Sequence, residues 1–250
     1  DMGLGKTIQV ITLLLHDRGN GPWLLICPTS LMGSWAREMA RFAPTLRVAL
    51  HHGRDRGAPD SEADVVVTTY GLAMRDDALL AQTWRGVALD EAQCIKNAES
   101  RQARAVRSLR STLRLALTGT PVENRLTDLW AIMEFLNPGM MGTRDALNRR
   151  FATPIERCGD EGRRHLLRKA VEPFLLRRVK TDPTVAPDLP EKIERKVACI
   201  LTREQASLYE ATVRERLGQI DASAGIARRG LVLATMMRLK QICNHPAHFL

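Results

Sequence analysis

No apolar run in the 250 residues approaches the roughly 18–20 that a membrane-spanning helix needs, so the sequence offers no helical membrane anchor. There is no Cys-x-x-Cys pair. The five cysteines (Cys27, Cys94, Cys158, Cys199 and Cys243) are odd in number and widely scattered. That excludes a disulfide framework and fits reduced cytosolic thiols. Internal repeats and low-complexity tracts are also missing. The apolar fraction, 44%, is ordinary for a globular chain, and the length suggests one or two domains.

Charge is present in excess and unevenly placed. Thirty-seven basic residues against 28 acidic ones give a net +9. From Arg144 to Lys180, eleven basic residues face five acidic ones, a concentration that favours a polyanionic partner such as nucleic acid over a merely solvated helical face. The stripe Arg101, Arg104, Arg107 and Arg110 is weaker evidence. A three-residue step drifts by about 60° per turn, so these side chains wrap around a helix instead of lining one rail.

Two short segments carry the chemistry. Gly3-Leu4-Gly5-Lys6-Thr7 has the form of the end of a phosphate loop. Small residues let backbone N–H groups close on a polyphosphate, Lys6 reaches the outer phosphates, and the Thr7 hydroxyl can bind Mg²⁺. Asp90-Glu91-Ala92-Gln93 follows the apolar run Gly86–Leu89, placing two carboxylates where a strand ends. One can hold a metal while the other polarises an attacking water. Either segment alone occurs by chance; in this order they point to nucleotide hydrolysis. A full phosphate loop begins one place before Asp1, and the strand delivering the chain into it is not in the sequence. We therefore read the chain as part of a longer polypeptide.

The first half alternates apolar strands with helical patterns, the signature of an α/β fold with a parallel sheet flanked by helices. Helix is expected from Thr7 to Leu15, near Trp35–Phe42 with Ser30 or Ser34 as cap, over Leu72–Leu80 and near Ser100–Leu109. Strands are expected at Trp23–Cys27, Arg47–His51, Asp64–Thr68, the run ending at Asp90, and Leu113–Leu117. Three regions follow: 1–136 as the phosphate-loop lobe, 137–180 as a basic helical protrusion, and 181–250 as a linker, a strand and helices. Within these, Phe174–Val179 and Ile193–Leu201 read as strands, and Glu204–Ile220 and Leu231–Cys243 as helices. Thr118-Gly119-Thr120-Pro121 ends another strand and reaches the same sheet edge. Cys243, His245 and His248 fall one short of the four ligands of a structural zinc site.

Taken in order, these segments resemble the Swi/Snf-type ATPases among the superfamily-two helicases. Asp1–Gln9 is similar to that family's motif I, Cys27–Leu31 with Trp35 to motif Ia, and Thr68-Thr69-Tyr70 to motif Ib. Asp90–Gln93 with Lys96 and Asn97 resembles motif II, and Leu117–Pro121 with Asn124, Leu129 and Trp130 motif III. Pro173–Arg178, Leu189–Lys192 and Ile242–Pro246 match later segments. The resemblance implies a RecA-like first motor lobe with a helical protrusion, and an enzyme using ATP and Mg²⁺ to move along double-stranded DNA.

By the resemblance, Gly3, Leu4, Gly5 and Lys6 bind phosphates, Thr7 and Asp90 hold Mg²⁺, and Glu91 activates water, with Asp90 and Lys6 completing the catalytic set. Thr29, Ser30, Thr68 and Thr69 face the DNA backbone, and Thr118, Gly119 and Thr120 couple nucleotide state to DNA contact. A second motor lobe, supplying arginine fingers, is expected from sequence beyond this chain, so this portion alone should turn over little. The alternatives are a strand-separating DNA or RNA helicase lobe, and a DNA-binding module without turnover. The arginine- and alanine-rich composition points to a bacterial source and a cytoplasmic, nucleoid-associated location.

Overall fold

The apolar run Trp23–Cys27, stopped by Pro28, forms a strand buried at every position, and it is the middle of a five-stranded parallel sheet. In the computed structural model the described residues are 3–53, 57–119, 125–180, 182, 184–185, 187, 190 and 193–249. Chain order runs α1 (Lys6–His16), β1 (Trp23–Cys27), α2 (Thr29–Phe42), β2 (Val48–Leu50) and β3 (Val65–Thr69). Two short helices follow, α3 (Tyr70–Ala73) and α4 (Asp77–Ala81), then β4 (Thr83–Leu89), α5 (Arg101–Ser108) and β5 (Arg110–Ala116). Next come α6 (Leu126–Leu136), α7 (Arg144–Leu147), α8 (Thr153–Cys158), α9 (Glu161–Val171), α10 (Arg203–Asp221) and α11 (Gly225–Asn244).

The sheet order is β2-β3-β1-β4-β5, every pair parallel. Successive side chains of a strand point to opposite faces, and each face has its own core. Leu24, Ile26, Val66, Val87 and Leu89 pack with Tyr70, Leu79, Trp84, Val106 and Phe135 beneath α3, α5 and α6. Leu25, Cys27, Val65, Val67 and Ala88 pack with Val10, Ile11, Leu14, Trp35 and Met39 from α1 and α2. On α2 the buried positions Met32, Trp35 and Met39 keep helical spacing. Neither Ser30 nor Ser34 caps that helix; it begins directly after Pro28, with no side-chain cap.

A third apolar cluster joins α6 to the basic segment: Leu129 and Met133 meet Leu147, Ile155, Leu167 and Val171. The segment is helical, with one π turn at Asn148–Ala152 between α7 and α8, and Asp160 caps α9 through the Arg163 amide at 2.9 Å. Phe174–Val179 is not a strand. Phe174 closes a single 3-10 turn and the residues after it are irregular, with Leu176 exposed. The expected helix over Leu72–Leu80 is two pieces, because Asp76 breaks it and caps the second at the Ala78 amide.

The chain divides between 189 and 190 into two units. In the second, α10 and α11 form a hairpin. Thr202 and Gln205 make a capping box, and the Gln205 amide donates to Ile242 O (3.1 Å) and Cys243 O (3.0 Å). Residues 193–202 are irregular, not the strand their alternation suggests; Ile193 is 90% and Ile200 97% exposed, with no neighbouring strand to pair with among the described residues. Asp1, Met2, Thr120, Pro121, Asn124, Leu189, Glu191 and Lys192, which contribute to the expectations above, lie outside the described residues.

Candidate nucleotide-hydrolysis site

Parallel strands with short crossovers bring their carboxyl ends to one edge, where open α/β sheets bind ligands. Lys6 opens α1 directly after Gly5, whose φ of 77° lies in the left-handed region, as does Gly3 at 74°. A side chain at either position would strain the backbone, so glycine is what lets the loop turn its amides inward. Thr7 follows in the first turn of α1, half-buried like Lys6.

Asp90 leaves the end of β4, its amide donating to Ile26 O of β1 at 2.8 Å. Both carboxylate oxygens are held: Oδ1 accepts from the Glu91 amide (2.9 Å) and Oδ2 from the Trp35 indole N–H (2.8 Å). Burial pushes this carboxyl above the ordinary aspartate range, and the Glu91 charge adds to the shift. The hydrogen bonds from Trp35 and the Glu91 amide oppose it, as does the Lys6 ammonium. Lys6 therefore lies within range for its charge to act on Asp90.

Glu91 has φ 52° and ψ 53°, and among the described residues it is the one non-glycine at positive φ. Such a conformation costs on the order of 1–3 kcal/mol and persists only where neighbours hold it. Here the Tyr70 hydroxyl donates to Asp90 O at 2.7 Å and approaches Glu91 O at 3.4 Å, while the Ala92 amide donates to Leu117 O at 2.8 Å. Tyr70 is buried, and burial followed by its anionic neighbours drives its phenol far upward, so it stays a neutral donor. Gln93 spans the gap to β5: its amide donates to Glu91 Oε2 at 2.5 Å, and its carbonyl oxygen accepts from the Thr118 hydroxyl at 2.7 Å.

The remaining expected residues separate by exposure. Thr29 and Ser30 lie exposed in the first turn of α2. Thr68 and Thr69 do not present hydroxyls outward. Thr68 is 0% exposed and donates to His51 O at 3.0 Å, while the buried Thr69 caps α3 by accepting from the Leu72 amide at 3.4 Å. Thr118 is committed to Gln93, Gly119 is half-buried beside it, and Thr120 lies outside the described residues. All eleven basic residues from Arg144 to Lys180 are exposed, with Arg163 and Arg164 paired to Asp160 and Glu161. A cavity of about 320 Å³ between α1 and β5 has mostly apolar walls, Val10, Leu13, Leu115 and Leu117 among them, but Lys6, Thr118, Arg177 and Arg178 also line it, and neither Asp90 nor Glu91 does. Among the described residues no three His, Cys, Asp or Glu side chains gather as a metal cluster. Nor is any described helix long and apolar enough to cross a membrane.

Three further side chains at the site fall within the motif-like segments, but the sequence assigns them no role of their own. Trp35 is legible there as a buried helix position and Tyr70 as part of a motif, but nothing local connects either to the acidic pair. The available signal is a polar-tipped aromatic in each of two segments that end near one sheet edge. Gln93 belongs to the acidic segment itself, with nothing local to show its bonds to Glu91 and Thr118.

The SNF2-related domain model matches residues 1–248. The chain is 48% identical over its full length to Bacillus subtilis YwqA, which carries the name of an ATP-dependent helicase/translocase, and spans 28% of that protein. It is 35% identical to the transcription regulatory protein SNF2 of Saccharomyces cerevisiae, again over its full length and 16% of the relative. The Sulfolobus solfataricus SWI2/SNF2 ATPase core, solved in complex with double-stranded DNA, superposes with a TM-score of 0.72 at 44% identity, over 99% of this chain and 53% of that one. The sheet flanked by helices is thus the RecA-like lobe of such cores, and the chain spans only a minor part of the two full-length relatives. With its motif order, its parallel sheet and its loop lysine beside a paired acid, this chain belongs to the SNF2-related domain family.

Proposed function

We propose that this chain is the nucleotide-hydrolysing lobe of an ATP-driven motor that tracks along double-stranded DNA and remodels protein complexes bound to it. Residues 1–136 form the motor lobe, 137–180 a basic protrusion, and 181–250 the passage toward a second lobe. That second lobe is the partner that completes the site, and a cytoplasmic location follows for an enzyme working on the nucleoid.

The observation that carries this reading is a desolvated Asp90 at the end of β4, within range of the Lys6 charge, whose neighbour Glu91 is held in a strained backbone. A DNA-binding module without turnover has no use for that strain. The amides of Gly3, Leu4 and Gly5 cradle the phosphates of ATP, and Lys6 neutralises their outer charge. The Thr7 hydroxyl and the Asp90 carboxylate are hard oxygen donors, and a carboxylate raised by burial beside a second acid is relieved by a cation, so the two fit Mg²⁺. When bound, that ion supplies charge neutralisation at the transferred phosphoryl group. Glu91 orients the attacking water and takes its proton. Through Gln93, the position of its carboxylate is tied to Thr118 and so to the end of β5. Thr29, Ser30 and the exposed arginines of the protrusion meet DNA phosphates, which fixes register without reading sequence.

The test is ATP hydrolysis by the full-length protein, with and without duplex DNA, and a strand-separation assay alongside. Duplex-stimulated hydrolysis without unwinding is expected, and Glu91→Gln should retain nucleotide binding while turnover disappears. Unwinding, a preference for RNA, or normal turnover in Glu91→Gln would refute the proposal.

A further inference from the structure

Two aromatic side chains outside the phosphate loop end on the acidic pair with their polar tips. Trp35, 2% exposed on α2, gives its indole N–H to Asp90 Oδ2 at 2.8 Å. Tyr70 gives its hydroxyl to Asp90 O at 2.7 Å. Buried aromatic donors need a partner, but a nearby carbonyl usually serves. Trp84 shows the ordinary solution, its indole ending on Leu79 O five residues away at 3.1 Å.

The two bonds fix different variables. Asp90 Oδ1 is already held by the Glu91 amide, so the Trp35 bond to Oδ2 sets the rotation of the whole carboxylate. The carbonyl that Tyr70 holds belongs to the peptide joining Asp90 to Glu91. Any relaxation of Glu91 out of its left-handed conformation must turn that peptide, and the carboxylate of Glu91 with it. Trp35 also has a mechanical connection outward. It stands on the same continuous helix as Thr29 and Ser30, the exposed residues of the first turn, roughly 7–9 Å along the axis. A shift of that turn is carried by the helix to the indole, and by the indole to Asp90.

We infer that Trp35 and Tyr70 are positioning residues that make the geometry of Asp90 and Glu91 respond to a nucleic-acid phosphate backbone seated at the first turn of α2. Binding of the polyanion then sets the rate of hydrolysis. This deepens the function proposed above and rests on it.

The experiment compares Trp35→Phe and Tyr70→Phe with the unaltered full-length protein. Tyr70→Phe removes only an oxygen, so it serves even if the smaller ring at position 35 impairs folding. Trp84→Phe is the control, losing a buried indole bond of the same kind away from the acids. In each protein, kcat and KM for ATP are measured with and without saturating duplex DNA, together with duplex affinity. The ratio of stimulated to unstimulated kcat should fall roughly tenfold in both test variants, the order expected for losing one hydrogen bond, to the carboxylate for Trp35 and to a backbone carbonyl for Tyr70. KM and duplex affinity should stay within about twofold, and Trp84→Phe should keep its ratio. A merely structural role lowers the active fraction and leaves the ratio intact. A preserved ratio in both variants, or an equal fall in Trp84→Phe, overturns the inference alone. No duplex stimulation in the unaltered protein overturns the proposed function as well.

Discussion

Gly86→Ala should be among the most damaging single-methyl additions available to this chain. Gly86 on β4 stands in register with Trp23 on β1, and a Cβ placed there would lie 2.4 Å from Trp23 Cζ3 and 2.5 Å from Cε3 and Cη2. Carbon atoms ordinarily pack at about 3.5–4.0 Å, so ring or strand must move by roughly 1 Å. The ring has nowhere easy to go. It is buried, and its Nε1 donates to Asp17 Oδ2 at 2.8 Å, an oxygen also held by Arg85 Nε at 2.8 Å. Overpacking of this kind costs about 1–3 kcal/mol, and losing the indole bond adds about 1. Replacing a strand glycine returns roughly 0.5–1 kcal/mol of backbone entropy, leaving a net loss of about 1–3.5 kcal/mol. Urea unfolding of the full-length protein should show this as a lower midpoint. In a Trp23→Leu background the same alanine should be nearly neutral, so the double-mutant cycle should give a coupling above about 1 kcal/mol. Because Asp90 lies four residues farther along, a 1 Å shift of β4 should also lower kcat, by up to about 10²-fold. A loss below about 0.5 kcal/mol, or additive behaviour in the cycle, would refute the reasoning.

The basic protrusion and the Asp17 cluster give two further tests. Arg149, Arg157 and Arg168 are exposed and show no ion pair among the described residues. Changing all three to glutamine should flatten the salt dependence of duplex binding by up to about 0.9 log units for each DNA phosphate they neutralise, and an unchanged slope would mean the segment is only solvated. At Asp17 the Arg85 guanidinium, with Trp23 and Asn20 also donating, holds the carboxyl well below the ordinary aspartate value. A depressed folded pKa stabilises at neutral pH and loses that contribution as pH falls through about 4 toward the folded value. Asp17→Asn should therefore lower stability by about 2 kcal/mol at pH 7, and the gap from the unaltered protein should narrow below pH 4 in denaturant titrations. A gap independent of pH would remove the charge from the account.

Elements whose residues contain their own reason to fold were readable from sequence. Trp23–Cys27 is apolar at every position because it is covered on both faces, and Pro28 ends it. The α2 periodicity marks the face that meets the sheet. Where a partner must be supplied from elsewhere, the pattern misled. Phe174–Val179 and Ile193–Leu201 have strand-like composition, yet no strand lies beside them among the described residues, and a lone strand cannot satisfy its backbone. At the site, the positions of Lys6, Asp90 and Glu91 followed from local spacing. The burial of the Thr68 and Thr69 hydroxyls was not legible, because it depends on His51 and on the start of α3, not on neighbours in sequence. The left-handed backbone of Glu91 was invisible for the same reason: Tyr70 and Leu117 hold it from twenty or more residues away.

Among the described residues β5 pairs on one side only, with β4. Its far rim of amides and carbonyls is a template for a strand, with Leu113 partly exposed alongside. Just past that rim, the Leu117 amide bonds to Leu89 and its carbonyl receives the Ala92 amide, so the end of β5 braces the acidic turn from behind. A strand docking there would stiffen the turn at a distance without touching nucleotide.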